Sequence, residues 1–114
     1  MPFIDAKISK KLTEDEMTLM KTEFGKAIAL FPGKTENWLM CDIQSDQKIW
    51  FQGNDDAPSA FVEVKLFGAV DGKSADQFTK HICGVFESSF GVPAERVYVR
   101  YEGGTLWGWN GGNF

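Results

Sequence analysis

Two halves of the chain repeat each other at a constant spacing, and this repeat limits the possible folds more than any other feature of the sequence. Apolar positions of a candidate strand and helix, a glycine, and a position in a second candidate strand all recur 58 positions later (62 − 4 = 58 for the first pair). A constant offset over successive features predicts that one structural unit occurs twice. The paired residues are Ile4 and Val62, Met20 and Phe78, Phe24 and Ile82, Ile28 and Phe86, Gly33 and Gly91, and Met40 and Tyr98.

The first unit has the pattern of a strand, a helix and a strand. Apolar and polar residues alternate over residues 3–8, which indicates a half-buried strand. Thr13 and Glu16 have the spacing of a capping box, and apolar residues then recur at three- and four-residue steps over about four helical turns. Pro32 and Gly33 are expected to end this helix. The remaining candidate strands of this half are residues 38–43 and the short run 49–51.

The second unit has the same order of elements. Residues 61–67 alternate as a strand does, and a loop follows them. Ser74 and Gln77 have capping-box spacing, which predicts the start of a second helix. Gly91 is expected to end that helix, and residues 97–101 predict a closing strand.

These elements predict an α/β (α+β) fold made of two β-α-β units with right-handed crossovers. The units are expected to form one four-stranded mixed sheet with both helices on the same face. We expect a single domain, residues 1–114, with internal repeats at about 2–58 and 60–114. Apolar residues of the candidate strands 38–43 and 61–67 point to both faces of the sheet, but two helices cover only one face. A symmetric homo-oligomer is the simplest cover for the other.

Charge and hydropathy narrow the class of partner. The formal net charge of −4 and the pI near 4.9 disfavour a nucleic acid or an anionic membrane. No apolar run approaches the ~18 residues of a membrane span and no signal peptide is recognisable, so we expect a cytoplasmic protein. Secretion without a signal peptide is the alternative. Cys41 and Cys83 lack metal or redox spacing and are expected to be buried free thiols. His81 is expected to pack on the second helix, and neither a metal nor a cofactor is expected.

Pro2 is the most informative candidate for catalysis. Removal of Met1 would leave a secondary amine at the tip of the first strand. A free α-amino group has a reference pKa of about 7.7–8.0, and burial or a nearby cation lowers that pKa toward the range useful to a general base. The alternative is that Pro2 only begins a strand, where its missing N–H costs no hydrogen bond.

Several features together resemble the macrophage migration inhibitory factor and D-dopachrome tautomerase family. They are the early Pro2, the two 58-residue units, Gly33 and Lys34 after the first helix, and the closing residues 109–114. The resemblance covers essentially the whole chain. It implies a homotrimer whose three sheets form a central barrel, with three active sites at the subunit boundaries, and this would cover the second face of each sheet.

The resemblance also implies a role for particular residues. Pro2 would be the catalytic base, Lys34 would hold the substrate carboxylate, and Phe67 would present a backbone N–H to the site. Tyr98 would come from the neighbouring subunit. The other candidate substrate-binding residues are Trp38, Trp107, Trp109, Phe114 and Arg100.

Some positions depart from the family pattern. Ser59 and Val62 replace the CxxC pair of the mammalian cytokine, so a thiol–disulfide activity is not supported. Lys65 replaces a histidine, Arg100 an asparagine, and Trp107 a smaller residue. Arg100 is also compatible with an ion pair within the sheet, and Trp107 and Trp109 with subunit packing.

The expected function is keto–enol tautomerisation of aryl α-keto acids of the phenylpyruvate type, an isomerase reaction. Two alternatives remain open. One is a cytokine-like binding protein with vestigial activity, and the other is a proline-dependent dehalogenase or decarboxylase, for which Arg100 is the supporting feature.

Overall fold

The computed structural model describes residues 1–114 and contains one four-stranded sheet, two long helices and a small C-terminal hairpin. The strand order in the sheet is β2-β1-β3-β4. The parallel pairs β1–β2 and β3–β4 are joined through the antiparallel pair β1–β3, so the sheet is mixed. The elements are β1 (Pro2–Ile8), α1 (Glu14–Ala27), β2 (Met40–Gln44), β3 (Ala60–Leu66), α2 (Gly72–Phe90), β4 (Val97–Glu102), β5 (Gly108–Trp109) and β6 (Gly112–Asn113).

The repeat extends to the strand register. β1 and β3 have the same length, and both of their ends differ by 58 positions (60 − 2 and 66 − 8). Phe3 lies opposite Met40 in one parallel pair, and Phe61 lies opposite Tyr98 in the other, at the same offset. The predicted fold of two β-α-β units in a mixed sheet is confirmed.

The core lies between the helices and one face of the sheet. Alternate residues of β1 and β3 are buried because successive side chains of a strand point to opposite faces. The rings of Phe24 on α1 and Phe86 on α2 have centroids 6.2 Å apart, so the two helices meet over the sheet. The largest fully buried side chains include Ile4, Ile8, Met20, Ile28, Val62, Val64, Leu66, Phe78, Ile82 and Phe90.

The first helix begins as predicted and the second does not. Thr13 and Glu16 make both hydrogen bonds of a capping box at α1. In α2 the N-cap is Asp71, whose carboxylate accepts the Ser74 N–H at 3.0 Å and the Ser74 hydroxyl at 2.6 Å. The predicted capping box of Ser74 and Gln77 is therefore wrong, because a carboxylate three residues earlier already caps the helix.

The two helices also end differently. α1 stops at Ala27 and continues only as the 3₁₀ turn Ile28–Leu30, while α2 remains α-helical to Phe90. Pro32 accounts for the difference, since a proline disfavours the helical conformation of the residue before it, and Phe31 is extended, with φ −87° and ψ 125°.

Two strand predictions need correction. The strand expected over residues 38–43 begins only at Met40, because Trp38 lies in the 3₁₀ turn Glu36–Trp38. Residues 49–51 form no regular strand. Phe51 makes only an isolated antiparallel bridge to Asn54 across a tight turn.

The sheet face away from the helices is mixed rather than apolar. Phe3 and Phe61 lie at opposite ends of it, and charged side chains occupy the middle, where Asp5 stands opposite Asp42 on one side and Glu63 on the other. The apolar surface expected on this face is therefore limited to its ends.

The two cysteines are free, as predicted, but only half-buried rather than buried. Both pack against the core, and desolvation raises the pKa of the Cys41 thiol to about 11. No helix in the structure combines the length and apolar character that a membrane span requires.

Candidate active site

A cleft of about 1080 Å³ opens at the end of the sheet where β1 begins. Pro2 lines this cleft together with Trp38, Trp107 and Trp109. The antiparallel pairing of β1 with β3 places Pro2 opposite Leu66, so the start of β1 and the end of β3 lie at the same end of the sheet. Four of the residues expected in the site from sequence are thus brought together.

Met1 extends the pairing of β1 with β3 by one hydrogen bond. The Phe67 N–H donates a hydrogen bond of 3.0 Å to the carbonyl oxygen of Met1. The pKa of the Met1 amine is lowered from its ordinary value, first by burial and second by the positive charge of Lys34. The surroundings of the amino terminus therefore favour an uncharged amine.

Lys34 lies beside the amino terminus because the chain turns sharply after α1. Gly33 makes this turn with a φ of 77°, a conformation that favours glycine. The Lys34 ammonium donates to the Phe67 carbonyl oxygen at 2.9 Å and lies 5.8 Å from the centroid of the Phe67 ring. One hydrogen bond leaves two of its three N–H donors for a ligand.

Two pairs of aromatic rings lie at this end of the sheet. The rings of Trp38 and Trp109 are perpendicular, with centroids 5.3 Å apart. The rings of Phe67 and Phe114 are tilted, with centroids 5.2 Å apart. The Phe114 N–H donates to the Trp107 carbonyl oxygen at 3.3 Å, which ties the end of the chain to the cleft. These edge-to-face and tilted contacts suit a slot for an aryl group.

Tyr98 and Arg100 lie away from this cleft. Tyr98 stands opposite Phe61, at the end of β4 far from Pro2, and 61% of it is exposed. Arg100 stands opposite Glu63 on the sheet face that the helices leave open. Within one chain, neither side chain joins the other site residues.

Comparison with known proteins identifies the family. The family model described as macrophage migration inhibitory factor (MIF) matches residues 1–114. The chain belongs to this family. The Leishmania major protein MIF2 has a solved structure that superimposes with a TM-score of 0.90 at 32% identity, covering 100% of this chain and 97% of that one.

Other family members are similar over most of the chain. The structure of a Prochlorococcus marinus homologue has a TM-score of 0.80 at 31% identity and covers 98% of both chains. The Xenopus laevis macrophage migration inhibitory factor is 28% identical over 95 residues, or 82% of each chain. The resemblance inferred from sequence is confirmed.

Two charged residues of this family member were missed as site residues. Lys65 and Glu102 stand opposite each other on β3 and β4, and both line the cleft. The Lys65 ammonium lies 5.9 Å from the centroid of the Phe3 ring, and Phe3 also lines the cleft. No local pattern in the sequence marked Lys65 or Glu102. The antiparallel pairing of β1 with β3 places Lys65 opposite Phe3 at the end of the sheet that carries Pro2.

Leu106 was also missed. It lines the cleft and is 94% exposed. An apolar residue in a glycine-rich segment was its only mark in the sequence. His81, in contrast, lies on the surface of α2 with its Nε2 atom 3.7 Å from a Glu23 carboxylate oxygen, and it does not line the cleft.

Proposed function

We propose that the protein is a keto–enol tautomerase of aryl α-keto acids, such as phenylpyruvate, with Pro2 as the general base. Membership of the macrophage migration inhibitory factor family supports a tautomerase or a cytokine-like role. The observation that favours catalysis is the contact between Met1 and Phe67 beside Lys34. The Met1 acyl group blocks the Pro2 nitrogen and occupies the Phe67 N–H at the same time.

Removal of Met1 therefore changes two groups in one step. The Pro2 nitrogen becomes a basic secondary amine, and the Phe67 N–H loses its acceptor. An unpartnered N–H at a partly buried edge is a favourable donor to a substrate oxygen. A base and a hydrogen-bond donor would then stand side by side, which is what the transfer of a proton between carbon and oxygen requires.

The proposed reaction conserves all atoms of the substrate. Neutral Pro2 takes a proton from the carbon next to the keto group of the keto form, and the electron pair of the broken C–H bond passes into an enolate. Protonated Pro2 then gives this proton to the enolate oxygen, directly or through a water molecule, which forms the enol and returns Pro2 to its neutral state. The reverse sequence regenerates the ketone. Lys34 stabilises the substrate carboxylate and the developing negative charge, and its like charge also lowers the pKa of the Pro2 amine.

The aryl group of the substrate would occupy the cleft that the tryptophans line. Trp38, Trp107 and Trp109 supply apolar surface, and Phe114 extends it beside Phe67. Ring contacts of this kind contribute about 0.5–1.5 kcal/mol each beyond the area they bury.

We further propose that the active assembly is a homotrimer. Tyr98 and Arg100 do not line the cleft of their own chain, yet both are exposed on β4. In a trimer these residues would reach the cleft of a neighbouring subunit, where Tyr98 would contact the aryl group and Arg100 an acidic group. A monomer that turns over phenylpyruvate as fast as the assembled protein would contradict this.

The direct test replaces Pro2 by Gly and measures phenylpyruvate tautomerisation. The activity should fall by about 10²–10⁴-fold, the usual contribution of a general base, while the assembly and the unfolding temperature remain close to those of the native protein. Ala60→Gly is the matched control, because Ala60 holds the equivalent position at the start of β3 (60 − 2 = 58). Unchanged turnover in Pro2→Gly would reject the mechanism.

Arg100 favours a second candidate reaction, the dehalogenation or decarboxylation of an acid. A guanidinium pairs with a carboxylate through two parallel hydrogen bonds. A panel of aryl keto acids and halogenated acrylates distinguishes the two reactions. Turnover of the acrylates that depends on both Pro2 and Arg100, without tautomerisation of phenylpyruvate, would replace the first proposal by the second. A cytokine-like role would instead predict partner binding that survives Pro2→Gly.

A further inference from the structure

Arg96 lies at the end of the sheet opposite the cleft, and its guanidinium has an unusual environment. The residue is 9% exposed and forms no ion pair with a carboxylate. All of its acceptors are neutral. Nε donates to the Ser59 hydroxyl at 2.9 Å, and the two terminal nitrogens donate to Asn54, one to its side-chain oxygen at 3.1 Å and one to its carbonyl oxygen at 3.0 Å.

Burial of a cation without a counter-charge is costly. The charge therefore does not explain why an arginine lies here, but the shape of the guanidinium does. Its donors form a rigid fork, and its plane can also lie on an aromatic ring. Arg96 uses both properties. The fork holds Asn54, and the central guanidinium carbon lies 5.4 Å from the centroid of the Phe51 ring.

Asn54 and Phe51 are the two ends of one tight turn. They exchange two main-chain hydrogen bonds of 2.9 and 3.1 Å, and the intervening Gln52 and Gly53 have positive φ values of 52° and 82°. Arg96 therefore contacts both ends of the turn, and the orientation of the Phe51 ring depends on it.

The Phe51 ring in turn contacts Tyr98. The two rings are nearly perpendicular, at 84°, with centroids 5.4 Å apart. No other aromatic ring of the chain packs on Tyr98, which is 61% exposed. Phe51 is thus the support that limits the orientation of this exposed phenol.

We propose that Arg96 is a positioning residue, which holds Phe51 and through it sets the orientation in which Tyr98 contacts the substrate bound to a neighbouring subunit. This inference rests on the proposed function, because it assigns to Tyr98 a contact in the neighbouring cleft. The contact chain from Arg96 through Phe51 to Tyr98 is independent of that assignment and can be tested separately.

The test uses the full-length assembled protein with Arg96→Lys. This variant keeps the charge but loses the planar set of N–H donors and the planar group that lies on the Phe51 ring. Phe51→Leu is the second variant, in case Arg96→Lys does not fold. Each should raise KM for phenylpyruvate by about two- to tenfold, the range expected for loss of one aromatic contact, with kcat within about twofold of native. Tyr98→Leu should raise KM to the same extent.

The double variant Phe51→Leu/Tyr98→Leu should raise KM no further than Tyr98→Leu alone, because both changes remove one contact. Tyr101→Phe is the matched control. Tyr101 lies on the same strand as Tyr98, and its hydroxyl makes hydrogen bonds to Thr79 and Ala75 on α2. Loss of these bonds should lower the unfolding temperature and leave KM unchanged. Independent and multiplicative effects of Phe51→Leu and Tyr98→Leu would overturn the proposal.

A measurement without substrate separates this inference from the proposed function. The chain has only two tyrosines, so ring-labelled tyrosine gives two sets of NMR signals, with half-buried Tyr101 as the internal reference. Arg96→Lys or Phe51→Leu should shift and sharpen the Tyr98 signals alone. Unchanged Tyr98 signals would overturn the positioning role. Altered Tyr98 signals with unchanged KM would retain the contacts from Arg96 through Phe51 to Tyr98 but would exclude Tyr98 from substrate binding. If the native protein has no Pro2-dependent activity, the proposed function is refuted, and the NMR signals still test the contacts.

Discussion

The two ends of the sheet have the same backbone and opposite chemistry. At one end the Phe67 N–H donates to the Met1 carbonyl oxygen at 3.0 Å, and at the other the Ser9 N–H donates to the Ser59 carbonyl oxygen at 2.9 Å. These bonds are equivalent in the repeat, since donors and acceptors are each 58 positions apart (67 − 9 and 59 − 1). Ser59 lies within the chain, whereas the proposed function requires removal of Met1. Under that proposal, only the end of the sheet with Met1 is opened to expose a free amine.

The side chains at equivalent positions of the two units also differ in charge and burial. Lys34 beside the amino terminus corresponds to Val92 (92 − 34 = 58), which is fully buried in the core. The perpendicular pair of Trp38 and Trp109 corresponds to the stacked pair of Arg96 and Phe51, with centroid distances of 5.3 and 5.4 Å.

Under the proposed function, one end of a repeated scaffold becomes reactive while the other does not. The hydrogen-bond pattern and the turns are shared, so the difference comes from a chain terminus and a few side chains. At the opposite end a guanidinium with neutral partners supports a packed turn.

The largest effect is expected from blocking the open end. One alanine inserted between Met1 and Pro2 leaves the Pro2 nitrogen acylated after Met1 is removed. Tautomerase activity should fall by about 10²–10⁴-fold because the base is lost, with little change in the unfolding temperature. Activity close to native, with the inserted residue confirmed by mass spectrometry, would show that the two ends do not differ in the way described.

Exchange of the equivalent residues Lys34 and Val92 tests the electrostatic difference. Val92→Lys introduces an unpaired charge into the core and should destabilise the protein by about 3–5 kcal/mol or prevent folding. Lys34→Val should change the free energy of unfolding by less than about 1 kcal/mol, since Lys34 is only partly buried, and should reduce activity instead. Chemical denaturation measures both, and equal destabilisation by the two exchanges would contradict the comparison.

The pH dependence tests the neutral amine. Burial and the charge of Lys34 lower the pKa of the Met1 amine, and we expect the same two causes to act on Pro2 once it is terminal. The base works when uncharged, so the rate should be constant at high pH and fall as the pH drops through an amine pKa below the ordinary value of about 7.7–8.0. Lys34→Met should move this acidic limb to higher pH, because a like charge is removed, without restoring the ordinary pKa. An acidic limb that moves to lower pH would reject the assignment.

The smallest effect is expected where the two units agree. Gly33 and Gly91 both have a positive φ, at 77° and 68°, and a Cβ atom would meet nothing within 4 Å at either position. Gly33→Ala and Gly91→Ala should therefore each cost about 1–2 kcal/mol from backbone strain alone. Thermal or chemical unfolding measures this, and costs that differ by more than about 1 kcal/mol would mean that the two turns are not equivalent.

Local patterns in the sequence account for the scaffold. The alternation of residues in β1 and β3, the capping box at Thr13, and the offset of 58 predicted one four-stranded mixed sheet and both helices. The errors occurred where two local signals compete. Asp71 displaces Ser74 as the cap of α2, and Pro32 stops α1 one turn before its apolar stripe ends.

The candidate site divides along the same line. Pro2, Lys34 and the tryptophans were named from the family resemblance. The repeat specified where helices and strands recur, because helices and strands depend on residues close in sequence. The tertiary structure decided which residues meet at each end of the sheet. Lys65 reaches the cleft because β3 runs antiparallel to β1, and Arg96 contacts Phe51 across residues distant in sequence. Contacts of this kind depend on strand register and on packing over long separations, which no local pattern records.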